Sequence, residues 1–178
     1  HLTVDYIDVG QGDATLISKG NFHMLIDAGK NDVGKRVVAY LKKAGIKKLD
    51  VLVGTHPDSD HIGGLDDVLD AFPADHVYMP DAKKSTRTYE EVVDALKRAG
   101  EKFSMPEIGK SYTYEKNVVV RFLSPKKTYS DSNNNSLVVQ VAYGKNRFLV
   151  MGDAEEEAEK EKDGSVIEKE TTPQTPEA

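Results

Sequence analysis

The chain has no cysteine among its 178 residues, which removes disulfides, thiolate zinc sites and cysteine nucleophiles from consideration. That absence suits an exported bacterial protein and a cytosolic one equally. No apolar run approaches the ~20 residues a helix needs to cross a bilayer, so no membrane-spanning segment is expected. Basic residues are not in excess: 24 Lys and Arg face 30 Asp and Glu, for a net charge of -6. No overall positive field would draw in DNA or an anionic membrane, although local lysines and metal ions can still serve an enzyme that acts on nucleic acid. There is no internal repeat at solenoid period. The chain opens on His1 and not on methionine, which predicts a processed product or an excised piece, from which any signal peptide would already be gone. The expected location is extracytoplasmic or secreted and bacterial, with the cytoplasm left open.

What is present is enough for one domain with a substantial core, burying about 70% of its unfolded surface. "LTVDYIDV" alternates as a strand, "GQGD" turns, and "ATLISK" and "FHMLIDAG" form a hairpin across "GN". From Asp32 a helix is predicted, with Val33, Val37, Val38 and Leu41 on one face. "LDVLVGT" is a nearly continuous apolar run, as in a strand buried on both faces. "IGGLDDVLDAF" predicts a helix, "HVYMP" a strand, and "TRTYEEVVDALKRAG" a helix stopped by Gly100. "SYTY", "VVVRFLSP", "SLVVQVAY" and "RFLVM" read as strands, and "GDAEEEAEKEK" as a short charged helix capped by aspartate. Residues 1–162 are read as one α/β (α+β) layered domain. Residues 163–178, almost without apolar side chains, are read as a disordered tail or linker.

"THPDSDHIGG" (55–64) carries the chemistry. It directly follows the buried strand, so His56 stands at a strand's carboxyl end, where sites gather in layered α/β folds. In an extended stretch His56, Asp58 and Asp60 project to one side, and His61 opens the next helix. Two imidazoles and two carboxylates suit zinc, manganese or iron better than calcium, and two such ions can clamp both oxygens of an in-line displacement. Gly63 and Gly64 let backbone approach where a side chain would block it. The bland alternative makes Asp58 or Asp60 a helix cap and leaves the histidines on the surface. It suits any one of these residues better than it suits all four at this spacing.

These residues resemble the metal-binding signature of the metallo-β-lactamase superfamily, His-x-His-x-Asp-His. Aspartate at position 58 is similar to the branch formed by the C-terminal domain of the DNA-uptake protein ComEC and its stand-alone relatives. "DYIDVGQGDATLI", "LIDAG", "NNNSLVVQV" and "FLVMGDAEEEAE" resemble further motifs of that branch, in the same order, over residues 2–161. The resemblance implies an αββα sandwich. It implies one or two divalent ions, zinc or manganese, held by His56 and Asp58 at the first position and by Asp60 and His61 at the second. Asp153 would bridge the two, and Asp60 would also serve catalysis. Asp27 would orient a ligand or backbone, with a strand-end turn residue as the alternative. Asn135 and Ser136 would contact metal or substrate, or else form a polar loop. Asp13, at the edge of the site, is a further candidate beside its plainer role of bonding the turn's backbone. His23, His76 and the "KKAGIKK" lysines are left out of the site as core or surface residues.

Relatives continue into a "HHGS"-type motif that completes the second metal site, whereas no histidine follows His76 here. The fold is therefore expected to be C-terminally incomplete. The function implied is that of a metal-dependent hydrolase, a phosphodiesterase or nuclease acting through metal-bound hydroxide on DNA or a nucleotide. The alternative is a truncated or degenerate non-catalytic module that binds metal or a partner.

Overall fold

A computed structural model gives strands and helices in the order β1 (Thr3–Tyr6), β2 (Thr15–Lys19), β3 (Phe22–Ile26), α1 (Gly34–Lys43), β4 (Leu49–Val53), α2 (Ser59–Ile62), α3 (Leu65–Ala71), β5 (Ala74–Tyr78), α4 (Arg87–Ala99), β6 (Phe103–Ser104), β7 (Ser111–Tyr114), β8 (Val118–Ser124), β9 (Val138–Tyr143) and β10 (Asn146–Val150). The structure describes residues 1–10, 13–57, 59–80, 86–115, 117–125 and 136–150, with Ser59, Asp60 and Ser124 described by backbone only. The charged helix expected from Gly152 and the tail expected from 163 lie outside the described residues. Two compact units emerge, His1–Met105 and a second beginning at Pro106.

The first unit is built on a six-stranded sheet in the order β1-β2-β3-β4-β5-β6. Its first three strands pair antiparallel, β2 and β3 through the tight turn between Lys19 and Phe22. From β3 to β6 the pairing is parallel. A parallel strand lies between helix-covered faces, and the apolar run of β4 is accordingly buried at Leu49, Val51, Leu52 and Val53. The two longer helices supply the cover. α1 buries Val37 and Leu41 while Lys35 and Arg36 face water. In α4, Val92, Ala95 and Leu96 are buried. Its start is capped by the Thr86 hydroxyl, which accepts from Tyr89 N–H at 3.1 Å, and Gly100 ends it at φ 70. These faces join Leu25, Leu52, Leu65 and Val77 in one core.

Three sequence expectations need correction here. The single helix expected over 62–72 is broken into α2 and α3 at Gly63 and Gly64. Gly64 donates its N–H to Gly29 O at 3.2 Å, and a Cβ there would run into Ala28 O and stand 2.8 Å from Gly34 Cα. The chain leaves its helical path to touch the turn after β3, which only glycine permits. The extended register imagined for His56, Asp58 and Asp60 fails for the same region, because Asp60 already lies in α2. β5 begins at Ala74 and not at His76, and the parallel strand β6 has no counterpart in the sequence reading. Two residues, paired as Val77↔Phe103 and Tyr78↔Ser104, are too few to show periodicity.

The second unit is an antiparallel meander, β10-β9-β8-β7. Register places Val120 opposite Val141 and Phe122 opposite Val139, all buried. The expected strands match these elements closely, since each is a short alternating run closed by a turn.

A candidate metal centre at the carboxyl ends of β3 and β4

Because β3 and β4 run parallel, the loops that follow them leave the sheet on the same edge. Asp27 follows β3 directly, and Thr55 and His56 follow β4 after one glycine. Backbone bonds staple the two loops: Asp27 N–H donates to Val53 O at 2.8 Å, and Ala28 N–H donates to His61 O at 2.9 Å. Asp27 is wholly buried and sits at φ 63, a left-handed conformation that aspartate tolerates better than most residues.

Its carboxylate is held on both oxygens. Thr55 N–H donates to Oδ1 at 2.7 Å, and the Thr55 hydroxyl donates to Oδ2 at 2.5 Å. His61 Nδ1 lies 3.0 Å from the same Oδ2. Burial pushes the Asp27 carboxyl above its usual range, against the opposing pull of its bonds with His61 and Thr55. Asp13 adds a second carboxylate, with Oδ2 at 3.6 Å from His61 Nδ1, and its carbonyl accepts Gly29 N–H at 2.8 Å. His56 is also buried, its ring centroid 5.8 Å from that of His61.

Asp13, Asp27 and His61 bring ligand-type atoms within 4.8 Å of one another, and such a trio is able to hold a cation directly. Asp27, however, already accepts from both donors of Thr55, so its remaining partner is the imidazole. A carboxylate facing Nδ1 keeps the proton on that nitrogen and leaves the lone pair on Nε2. Imidazoles that bind metals commonly donate their other N–H to a carboxylate in this way. The donor set therefore fits a divalent ion approached from the Nε2 side of His61, with His56 as its buried neighbour.

Among the residues singled out from the sequence, His56, His61, Asp27 and Asp13 meet in the first unit. Asp60 is placed by its backbone in α2, and its side chain is not described. Asp58, Asn135 and Asp153 lie outside the described residues. Ser136, in the second unit, is wholly buried and its hydroxyl has no hydrogen-bond partner among the described residues. In the first turn, the Asp8 carboxylate accepts Gly10 N–H at 3.0 Å. His23 lies at the opposite end of β3, its Nδ1 2.9 Å from Ser18 Oγ, and His76 stacks on Tyr78 in β5. Thr55 was not anticipated. The available signal was a hydroxyl residue between an apolar strand and the first histidine.

Comparison with known proteins bears on the family and the fold. The family model of the metallo-beta-lactamase superfamily matches residues 7–176. Recombination protein 2 of Haemophilus influenzae is 33% identical over 158 residues, covering 85% of this chain and 18% of that protein. ComE operon protein 3 of Bacillus subtilis is 30% identical over 178 residues, covering 89% of this chain and 23% of that protein. The chain thus spans about a fifth of the length of the curated relatives it matches. Among solved structures, a metallo-beta-lactamase of Cronobacter sakazakii superposes with a TM-score of 0.59 at 14% identity, over 82% of this chain and 57% of that one. The metallo-beta-lactamase fold protein YhfI of Bacillus subtilis gives 0.54 at 16% identity, over 85% and 61%.

Proposed function

We propose, from the premise that this chain belongs to the metallo-beta-lactamase superfamily, that it is a divalent-metal-dependent hydrolase acting on phosphodiesters, with DNA or a nucleotide as substrate. The single observation that carries the metal part is the buried pair His56 and His61 at the carboxyl ends of β3 and β4, with Asp27 Oδ2 3.0 Å from His61 Nδ1. The substrate part draws its support from the names of two relatives, Recombination protein 2 and, at 29% identity over 161 residues, Competence protein ComA of Neisseria gonorrhoeae.

In this reading His56 and Asp58 would hold one ion, Asp60 and His61 a second, and Asp153 would be shared between them. Zinc and manganese both suit mixed nitrogen and oxygen donors. When bound, such ions lower the pKa of coordinated water and neutralise charge that develops on phosphoryl oxygens. The chain's own residues then do the positioning. Asp27 fixes the tautomer and orientation of His61, and Asp60 aligns the nucleophile with the scissile bond. Both imidazoles are buried in the first unit, away from bulk water, and charge interactions are stronger in that low-dielectric setting.

The test is hydrolysis of single-stranded DNA and of bis(p-nitrophenyl) phosphate with added manganese or zinc. Asp60→Ala and Asp153→Ala should bring turnover to background, and His23→Ala should leave it unchanged. Turnover that survives Asp60→Ala, or that needs no metal, would sink the mechanism. No turnover by a folded protein in either metal would favour a non-catalytic metal-binding or interaction module. Two ions per chain would argue for the enzyme, and one or none for the module.

A further inference from the structure

We propose that Thr55 is a positioning residue of this centre: its hydroxyl selects Asp27 over Asp13 as the partner of His61 and so sets the ring's tautomer and direction. Two carboxylates compete for one N–H. Asp27 Oδ2 stands 3.0 Å from His61 Nδ1, and Asp13 Oδ2 stands 3.6 Å from it. A carboxylate bonded through one oxygen alone pivots about that bond. Thr55 prevents the pivot by using both of its donors, N–H to Oδ1 at 2.7 Å and hydroxyl to Oδ2 at 2.5 Å, so the carboxylate plane is held at two points.

The clamp is rigid because its parts are buried and tied to the sheet. Thr55 and Asp27 are both fully inaccessible to solvent, and the Asp27 N–H is bonded to Val53 O in β4. Thr55 Oγ1 also lies 3.5 Å from His61 Nδ1, at the limit of a hydrogen bond, so its short contact is with Asp27. Without the hydroxyl, Asp27 keeps one anchor, and His61 Nδ1–H is shared between two acidic neighbours. The ring would then rock, and Nε2 would no longer point along one line. A partner one step removed from a metal ligand, as Asp27 is from His61, typically changes metal affinity by ~10–100-fold when lost, and Thr55 acts through that partner.

This inference rests on the proposed metal centre for the identity of the ion, but the tautomer can be read without any ion. The full chain is stripped with chelator and compared as parent, Thr55→Val, Thr55→Ser and Thr55→Ala. Affinity for manganese and zinc is measured by calorimetric titration. Two-bond proton–nitrogen correlations of the histidine rings report the tautomer in metal-free protein. The parent should show His61 protonated on Nδ1. Thr55→Val should weaken binding by about tenfold and mix the tautomers, and Thr55→Ser should restore both. If Thr55→Val does not fold, as judged by circular dichroism, Thr55→Ala must show the same two losses. Parental affinity and an unchanged tautomer in the hydroxyl-free variants would overturn the proposal, as would failure of Thr55→Ser to recover. A parent that binds neither ion would overturn the metal reading instead, while the ring spectra still decide the role of Thr55.

Discussion

The two ends of the β3–β4 pair carry the same kinds of residue in opposite surroundings. At the carboxyl end, Asp27, Thr55 and His61 are buried and bonded to one another. At the amino end, His23 N–H donates to Asp50 Oδ2 at 2.8 Å, and Lys48 Nζ reaches Asp75 Oδ2 at 2.7 Å with about half of each of these last two side chains in water. A histidine beside an aspartate is therefore not a site in itself. At the exposed end, water satisfies whatever the protein leaves unbonded. At the buried end an unmatched donor or acceptor is costly, and the bonds among Asp27, Thr55 and His61 hold those groups in one arrangement.

The comparison breaks most sharply at Asp27. Asp27→Ala leaves two Thr55 donors buried without an acceptor and puts alanine at a left-handed φ. The expected loss is about 3 kcal/mol or more in urea denaturation. A loss under about 1 kcal/mol would mean that the buried end is no more demanding than the exposed one. Asp27→Asn sharpens the point, because asparagine tolerates the same φ. Its amide NH2 would donate to His61 Nδ1 and drive the ring proton to Nε2, so a folded protein should lose affinity for manganese and zinc. Retained affinity would show that Asp27 does not set the tautomer.

At the exposed end, His23→Gln should leave metal binding as it is. Its signature lies in the pH dependence of stability. Burial lowers the His23 pKa below 6.5, with Asp50 pulling the other way. The unfolded ring thus takes up its proton first as pH falls. The neutral ring's contribution is present above pH 6.5 and is lost as pH drops through the folded-state value. His23→Gln should flatten that decline, and superimposable stability profiles of parent and variant below pH 6.5 would refute it. Smallest of all should be Lys48→Ala, which removes a solvated pair with Asp75. The effect should shrink further in 1 M salt, where exposed charges are screened.

Much of this was legible along the chain. The apolar run at Leu49–Val53 announced a doubly covered strand, and the position of His56 just beyond it announced a site at a strand's carboxyl end. Gly100 marked the end of α4 by its cap chemistry. These are local signals, in which spacing of two or of three to four residues and the chemistry of a cap or turn act over one element. The break between α2 and α3 was written in Gly63 and Gly64 but could not be read as a break, because its cause, the carbonyl of Ala28, lies far away in sequence.

The sequence by itself determined the class of the fold, the strands and long helices that carry it, the family, and the motif in which His56 and His61 stand. Only the tertiary structure decided what Asp27 and Thr55 are for. Their hydrogen bonds join residues 28 positions apart. Pairing of β3 with β4 creates that proximity, and no periodicity in either strand encodes it. The same pairing buried Asp27 and Thr55 completely and left His23 and Asp50, at the other end, partly exposed. Burial sets how much each hydrogen bond is worth, so it also separated the histidine that is held in place from the one that is merely nearby.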